Sequence, residues 1–378
     1  MVKYPKAEDF HGAVPVGTWG EASVPIFDVP NMHALNQLVG YIKHINAGEG
    51  TVLYRGQCHL HEHIIPSIKH DISREPENQN RLQEAISKIL CDDPLKHFFG
   101  FRNQDIAGWE LYQKLVIEAA LQHYMAKTYC VDFVDNHWTA LWFGIYQWDS
   151  VNKQFQKRIN SFHGEHDAHI TKNASVQKKP LPKEPTLDDI TLSEAIIAEI
   201  EQHAAQGSVS YEELEERYKQ ALLKGERKKW KKACQQIEQE NQKIDAIEKT
   251  DHLFLFLYVA ETNVSNLHGV YMGEETYTVD LRKALPSTLL RPCAQHGWVV
   301  KGKQEQYQFD KNISCVIRIG VDLAEEMLGN GLLLSQENFF PDKETDQGYN
   351  ILLQRQIRSK IPSKYKKILP EDMITVLD

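Results

Sequence analysis

The stretch Val52-Leu53-Tyr54-Arg55-Gly56-Gln57 places a cation at the end of an apolar strand, with glycine directly after it. The strand fixes where the guanidinium points, and Gly56 lets the backbone turn or a ligand come close. A planar guanidinium can donate two parallel hydrogen bonds to a phosphate, so a pyrophosphate-bearing ligand is the chemical partner such a residue suits. A structural ion pair is the other common use of an arginine at a strand end.

Two further clusters carry groups of similar promise. Gln122-His123-Tyr124, followed by Thr128, Asp132 and Phe133, gathers an amide, an imidazole, a phenol and a carboxylate where a buried helix meets a strand. Imidazole titrates near neutrality, so His123 suits a base or a group that orients a ribose. It equally suits satisfying backbone inside the core. Asp132 either faces a ligand or pairs with Arg55 or Arg291, which would fix the fold instead. The third cluster, Arg291-Pro292-Cys293-Ala294-Gln295-His296-Gly297-Trp298, leads into a strand. If that segment is extended, Gln295 and His296 point to opposite faces and only one of them meets a site.

Other motifs carry less. Cys58, His59, His61, Glu62 and His63 are ligating types, but their spacing lacks paired geometry, and no metal site is expected. Gly329-Asn330-Gly331 reads as a turn, because a phosphate loop needs further glycines and a Lys-Ser/Thr ending.

The elements that must position these groups are read from periodicity. Residues 1–30 hold Pro5, Pro15, Pro25 and Pro30 and read as an extended N-terminal arm. Asn31 caps a helix with apolar positions from Met32 to Ile45, and the strand Thr51 to Tyr54 follows. Trp109 to Tyr124 and Trp138 to Trp148 read as buried helices on either side of the short strand Tyr129 to Phe133. Phe162 to Asp188 reads as a flexible connection, and Leu192 to His203, Tyr211 to Leu223 and Lys228 to Glu248 as charged helices. His252 to Ala260 is short and almost wholly apolar, the pattern of a central strand buried on both faces. Val270 to Met272 and Tyr277 to Val279 read as edge strands, and His296 to Val300 and Ser314 to Ile319 as two more.

The reading is therefore an α+β fold, a mixed central β-sheet flanked by helices with a charged helical insertion. Its parts are 1–30, the arm; 31–150 and 251–350, the two parts of one core; 151–250, the connection and insertion; and 351–378, a C-terminal tail.

Composition bounds the function. A net charge of -9 disfavours broad nucleic-acid binding, although Lys224 to Lys232 is a local basic stretch, read as a solvated helix face. Six cysteines without CxxC spacing fit a reducing cytoplasm, and the absence of a long apolar run or an apolar leader fits a protein that neither spans a membrane nor is exported.

In order and approximate spacing these clusters resemble the FRG-domain family of bacterial and phage-defence proteins. Tyr54-Arg55-Gly56-Gln57 is similar to its Phe/Tyr-Arg-Gly signature, and Ile65-Pro66-Ser67-Ile68 to the element that follows. Gln122-His123-Tyr124 through Asp132-Phe133, then Ala140-Leu141-Trp142-Phe143, resembles its central block and helix. Arg291, Gln295 and Gly297, then Phe340-Pro341-Asp342, resemble its later elements; residues 32–350 are covered, with 150–250 unmatched. Met125, Lys127, Tyr129, Val134 and His137 depart from the family's Gly, Pro, Arg, Thr and Pro.

A further resemblance, to ADP-ribosyltransferases, implies an ADP-ribosyltransferase-like fold and NAD as cofactor or substrate. It implies that Arg55 grips the pyrophosphate or ribose, that the Asp132 segment shapes a nicotinamide pocket, and that Gln295 stands where those enzymes carry a glutamate. An amide there lacks the charge that stabilises an oxocarbenium-like transition state, unless Glu261, Glu274 or Glu275 supplies it.

On this basis His123 and Gln295 are the expected catalytic residues, and Tyr54, Arg55, Gly56, Gln122, Tyr124, Asp132 and Arg291 the expected ligand-binding ones. The implied function is an NAD-dependent transferase or glycohydrolase serving as a toxin or phage-defence effector. The alternative is a non-catalytic nucleotide- or protein-binding module, with a protein partner meeting residues 190–250.

Overall fold

A computed structural model describes residues 1–9, 12–101, 107–124, 126–149, 154–157, 170–172, 180–206, 209–249, 252–329, 334–341, 345–346, 348 and 352. The chain divides into a larger unit, 1–175 with 251–378, and a smaller one, 176–250.

The larger unit is α+β, built on an eleven-stranded mixed sheet. Its first strands are β1 (Val14–Trp19), β2 (Val24–Asp28) and β3 (Thr51–Gln57), with helix α1 (Met32–Ile45) between the last two. Helices α2 (Glu75–Cys91), α3 (Asp93–Phe98) and α4 (Trp109–His123) lead to β4 (Cys130–Val134) and α5 (His137–Ile145). β5 (Tyr146–Asp149) and β6 (Gln154–Lys157) form a separate hairpin, and β7 (Ile170–Lys172) joins an edge of the main sheet.

The smaller unit has α6 (Glu194–Gln206) and α7 (Tyr211–Lys249). Two helices expected from Tyr211 to Glu248 are thus one, because Gly225 lies on an open helix face and does not break it. Trp230 Nε1 donates to the Pro182 carbonyl at 2.8 Å, and Arg227 pairs with Glu184 at 3.2 Å. Both contacts fasten the polar segment before α6 to α7.

Beyond the insertion come β8 (His252–Ala260), β9 (Asn266–Leu267), β10 (Val270–Met272) and β11 (Thr276–Asp280). Short helices α8 (Leu281–Ala284) and α9 (Leu290–Ala294) precede β12 (Gly297–Gly302) and β13 (Ile313–Gly320), and α10 (Val321–Met327) and α11 (Gln336–Phe339) follow. Strand order is β7-β1-β2-β13-β8-β3-β4-β12-β11-β10-β9. The uninterrupted apolar run of β8 lies between β13 and β3, with Leu253 to Ala260 all buried.

Residues 1–30 are therefore not a free arm. β1 and β2 pair antiparallel, and β2 runs parallel to β13. Their prolines are tolerated because Pro15 sits at a register shift and Pro25 precedes the β13 pairing, which begins at Ile26. Nor are β10 and β11 edge strands, since β10 pairs with β9 and β11, and β11 with β10 and β12. The tail 351–378 lies outside the described residues apart from Leu352.

One residue pair, Tyr54 with Val134, joins β3 to β4 in the sheet. Beyond it the two strands separate. The β3 side packs with α1, α5 and α10, whereas the β4 side packs with α2 and α4. That parting between the two halves is where the chemical clusters meet.

Candidate functional site

A cavity of about 330 Å³ opens where β3 and β4 part. Arg55, Gln122, His123, Asp132, Arg291 and Gln295 are among the polar residues that line it. Phe143, Tyr146, Phe155 and Phe340 supply an aromatic wall, with Phe155 and Phe340 rings 4.3 Å apart.

Arg55 spans the gap left by the separating strands. Its Nη1 donates to the backbone carbonyl of Asp132 at 2.9 Å, so the expected Arg55–Asp132 contact is made with the main chain, not the carboxylate. The carboxylate is held by Gln122, whose Nε2 donates to Oδ2 at 2.6 Å. Gln122 is oriented in turn by the Thr128 and Ser67 hydroxyls, which donate to its Oε1. Asp132 Oδ1 has no hydrogen-bond partner among the described residues. Burial raises the Asp132 pKa, against the lowering pull of Gln122, Arg55 and Arg291.

His123, at the end of α4, is only 8% exposed. Burial, reinforced by the Arg291 charge, depresses its pKa to about 3, and a hydrogen bond to the Arg291 backbone acts in the opposite direction. The imidazole is neutral at ordinary pH. Its Nε2 is buried without a hydrogen-bond partner among the described residues. Gly297 makes room for this ring: a Cβ there would lie 2.8 Å from His123 Cε1.

Arg291 is buried at the start of α9, its guanidinium 4.5 Å from the centre of the Phe340 ring. The backbone N–H groups of Leu290 and Arg291 donate to the Asp346 carboxylate at 3.2 and 3.3 Å. Asp346 also accepts from the Tyr124 hydroxyl, at 3.0 and 2.9 Å to its two oxygens. Tyr124 is thus not a cleft residue, and its phenol works through α9.

Gln295 reaches the cleft, but not from an extended segment. It ends α9, and His296 follows with a φ of 53° that turns the chain. Gln295 Nε2 donates to the Phe339 carbonyl at 2.9 Å. His296 faces away, with Nδ1 3.2 Å from Asp135 Oδ1.

Tyr54 lines the cleft with a wholly buried ring, and its hydroxyl has no partner among the described residues. Burial first, and Asp135 second, push its pKa well up, which keeps the phenol protonated. Gly56 lines the cleft and also meets helix α5: a Cβ there would lie 1.7 Å from the Ala140 carbonyl oxygen. Its missing side chain admits helix α5.

Glu261 supplies no charge to the cleft, since its carboxylate accepts from the backbone of Glu275 and Thr276. The His/Cys stretch is used structurally, with His63 Nδ1 2.7 Å from Asp310 Oδ2, and among the described residues no group of three or more His, Cys, Asp or Glu is placed to hold a metal. A larger cavity of about 570 Å³ lies between α2, α4 and residues 301–309, and its most buried charge, Glu118, is answered by Lys301 at 2.5 Å.

Sequence reasoning missed the aromatic wall. Trp138 to Trp148 reads as one helix, yet α5 ends at Ile145 and Tyr146 begins β5, which carries Tyr146 over the cleft and brings Phe155 beside it. Alternation of aromatic and polar residues in Tyr146-Gln147-Trp148-Asp149 was the available signal.

Comparison with protein-family models, with curated proteins and with solved structures finds no match to this chain. None of the described helices is long and apolar enough to cross a membrane.

Proposed function

We propose that this cleft binds a pyrophosphate-bearing nucleotide, with NAD as the ligand, and that the protein is an ADP-ribosyltransferase or NAD glycohydrolase. The supporting observation is the meeting of Arg55, Arg291, His123 and Asp132 beneath an aromatic wall in one cavity. Guanidinium groups suit phosphates, and aromatic faces suit a planar ring. The FRG-like and ADP-ribosyltransferase-like resemblances support the same reading, including an ADP-ribosyltransferase-like arrangement of the sheet and a cytoplasmic toxin or phage-defence role.

In this reading the glycosidic bond between the nicotinamide nitrogen and C1′ of its ribose breaks, and its electron pair leaves on neutral nicotinamide. Water or an acceptor group forms the new bond to C1′ and gives up its proton to bulk solvent. Asp132 takes over the electrostatic role that the resemblance gave to Gln295, because the Gln295 amide nitrogen is tied to Phe339 and an amide carries no charge. In its ionised form the Asp132 carboxylate stabilises positive charge as it develops on the ribose. His123 is an acceptor there, not an acid.

That same tie on Gln295 favours a second reading, a module that binds nucleotide without turning it over. Incubation with NAD and a cell extract, with nicotinamide release followed for the native chain and for Arg55→Ala and Asp132→Asn, separates the two. Release that both substitutions abolish supports catalysis. NAD binding without release under any condition supports the binding module, and release that survives both substitutions rejects this cleft as the source.

A further inference from the structure

Two buried polar atoms of the cleft stand out. Asp132 Oδ1 and His123 Nε2 are both shut off from solvent without a hydrogen-bond partner among the described residues, and both residues line the same cavity. Leaving such a group unsatisfied costs free energy, so each marks a place where a ligand donor fits. The other oxygen of Asp132 is already held by Gln122, so the carboxylate cannot turn away without losing a bond. Asp132 Oδ1 is thus fixed in direction, and Gly297 packs against the His123 ring.

We infer that Asp132 Oδ1 and His123 Nε2 accept hydrogen bonds from the vicinal hydroxyls of a ribose, and that this pair makes the cleft selective for ribose over deoxyribose. The inference rests on the nucleotide reading above and narrows it. An aliphatic 2′,3′-diol presents two O–H donors on adjacent carbons. A phosphate or a carboxylate would set a negative charge or lone pairs against these acceptors and is disfavoured there. The same geometry implies rejection of a sugar whose 2′-hydroxyl carries a phosphate, because the donor is gone and an anion faces the carboxylate.

The test compares ligands on the unaltered protein, so it does not depend on a variant folding. Binding is measured calorimetrically for NAD and for NAD whose nicotinamide ribose is the 2′-deoxy or the 2′,3′-dideoxy sugar, with the corresponding adenosine-ribose analogues as a second pair. The expected result is a loss of about tenfold or more for each hydroxyl removed from one of the two riboses, and little change for the other. His123→Phe and Asp132→Asn, checked for native secondary structure, should each shrink that discrimination. Tight binding of NAD with equal affinity for every deoxy analogue overturns the ribose assignment and leaves the nucleotide cleft standing. Failure of NAD and of all analogues to bind overturns the cleft reading, and the ribose assignment with it.

Discussion

Gly56 lies against the carbonyl of Ala140 so closely that a Cβ would sit 1.7 Å from its oxygen and 3.0 Å from the Gly144 nitrogen. The neighbours are helix backbone, which has no side-chain rotation by which to yield. Gly56→Ala must therefore push α5 off β3, and a loss of about 3 kcal/mol is expected, at the upper end of overpacking. Gly48→Ala is the control: nothing lies within 4 Å of its Cβ, and its effect should stay within about 0.5 kcal/mol. Urea midpoints of the two variants decide the matter, and similar values would show that α5 can move freely.

Acid should loosen this protein through its buried histidines. His123 and His252 are held down to about 3 and His137 to about 4, in each case chiefly by burial, with Arg291, Arg318 and Lys43 as the secondary causes. In the unfolded chain these rings take a proton near 6.5, so between that pH and about 4 the unfolded state binds more protons than the folded one. Stability then rises with pH across the window and falls on acidification, by up to about 1.4 kcal/mol per pH unit for each ring. Asp132 works oppositely, since its raised pKa favours the folded state at low pH and that contribution fades as pH rises through the folded value. Denaturant midpoints at pH 7.5 and 5 should differ measurably, and His123→Gln should flatten the slope. A midpoint that does not move with pH would contradict the buried neutral histidines.

Asp346 governs the cleft from outside it. Its carboxylate fastens the Tyr124 hydroxyl to the first backbone N–H groups of α9, and Arg291 rides on that turn. Tyr124→Phe removes a hydrogen bond to a buried charge and should cost about 1.5–3 kcal/mol. Asp346→Ala orphans the backbone donors as well and should cost more. If the role is positioning, Asp346→Ala also weakens NAD binding well beyond the effect of an equally destabilising change remote from the cleft, such as Glu118→Ala. Equal affinities for the two variants would reduce Asp346 to a purely structural residue.

Legibility in the sequence followed the range of the interactions involved. β8 declares itself because a strand covered on both faces needs an unbroken apolar run, and Leu253 to Ala260 provides it. Arg55, His123, Asp132 and Gln295 stood out by chemical type beside strand and helix ends, and they do share one cavity. Which atoms they offer was not legible, because that depends on contacts between distant segments: Arg55 with the Asp132 carbonyl, Gln295 with the Phe339 carbonyl. The glycines misled for the same reason. Gly56 and Gly297 have ordinary neighbours in sequence, and only the approach of α5 and of the His123 ring explains them. The residues 1–30 likewise look irregular until β13, some 290 residues later, supplies the partner for β2.

The larger cavity offers a test that does not depend on function. Glu118, with a side chain 3% exposed, holds Lys301 at 2.5 Å and accepts from the Tyr129 backbone at 3.1 Å. Glu118 is buried and Lys301 about a quarter exposed, so the carboxylate depends on its partner for compensation. Glu118→Ala removes the counter-charge and leaves the Lys301 ammonium beside the Tyr129 ring, 5.9 Å from its centre, with a loss of about 3–5 kcal/mol expected. Replacing both, as Glu118→Leu with Lys301→Met, removes the stranded charge and should recover much of that loss. A double-mutant cycle by urea unfolding reads the coupling directly, and strictly additive single losses would mean that the two groups stabilise the fold independently.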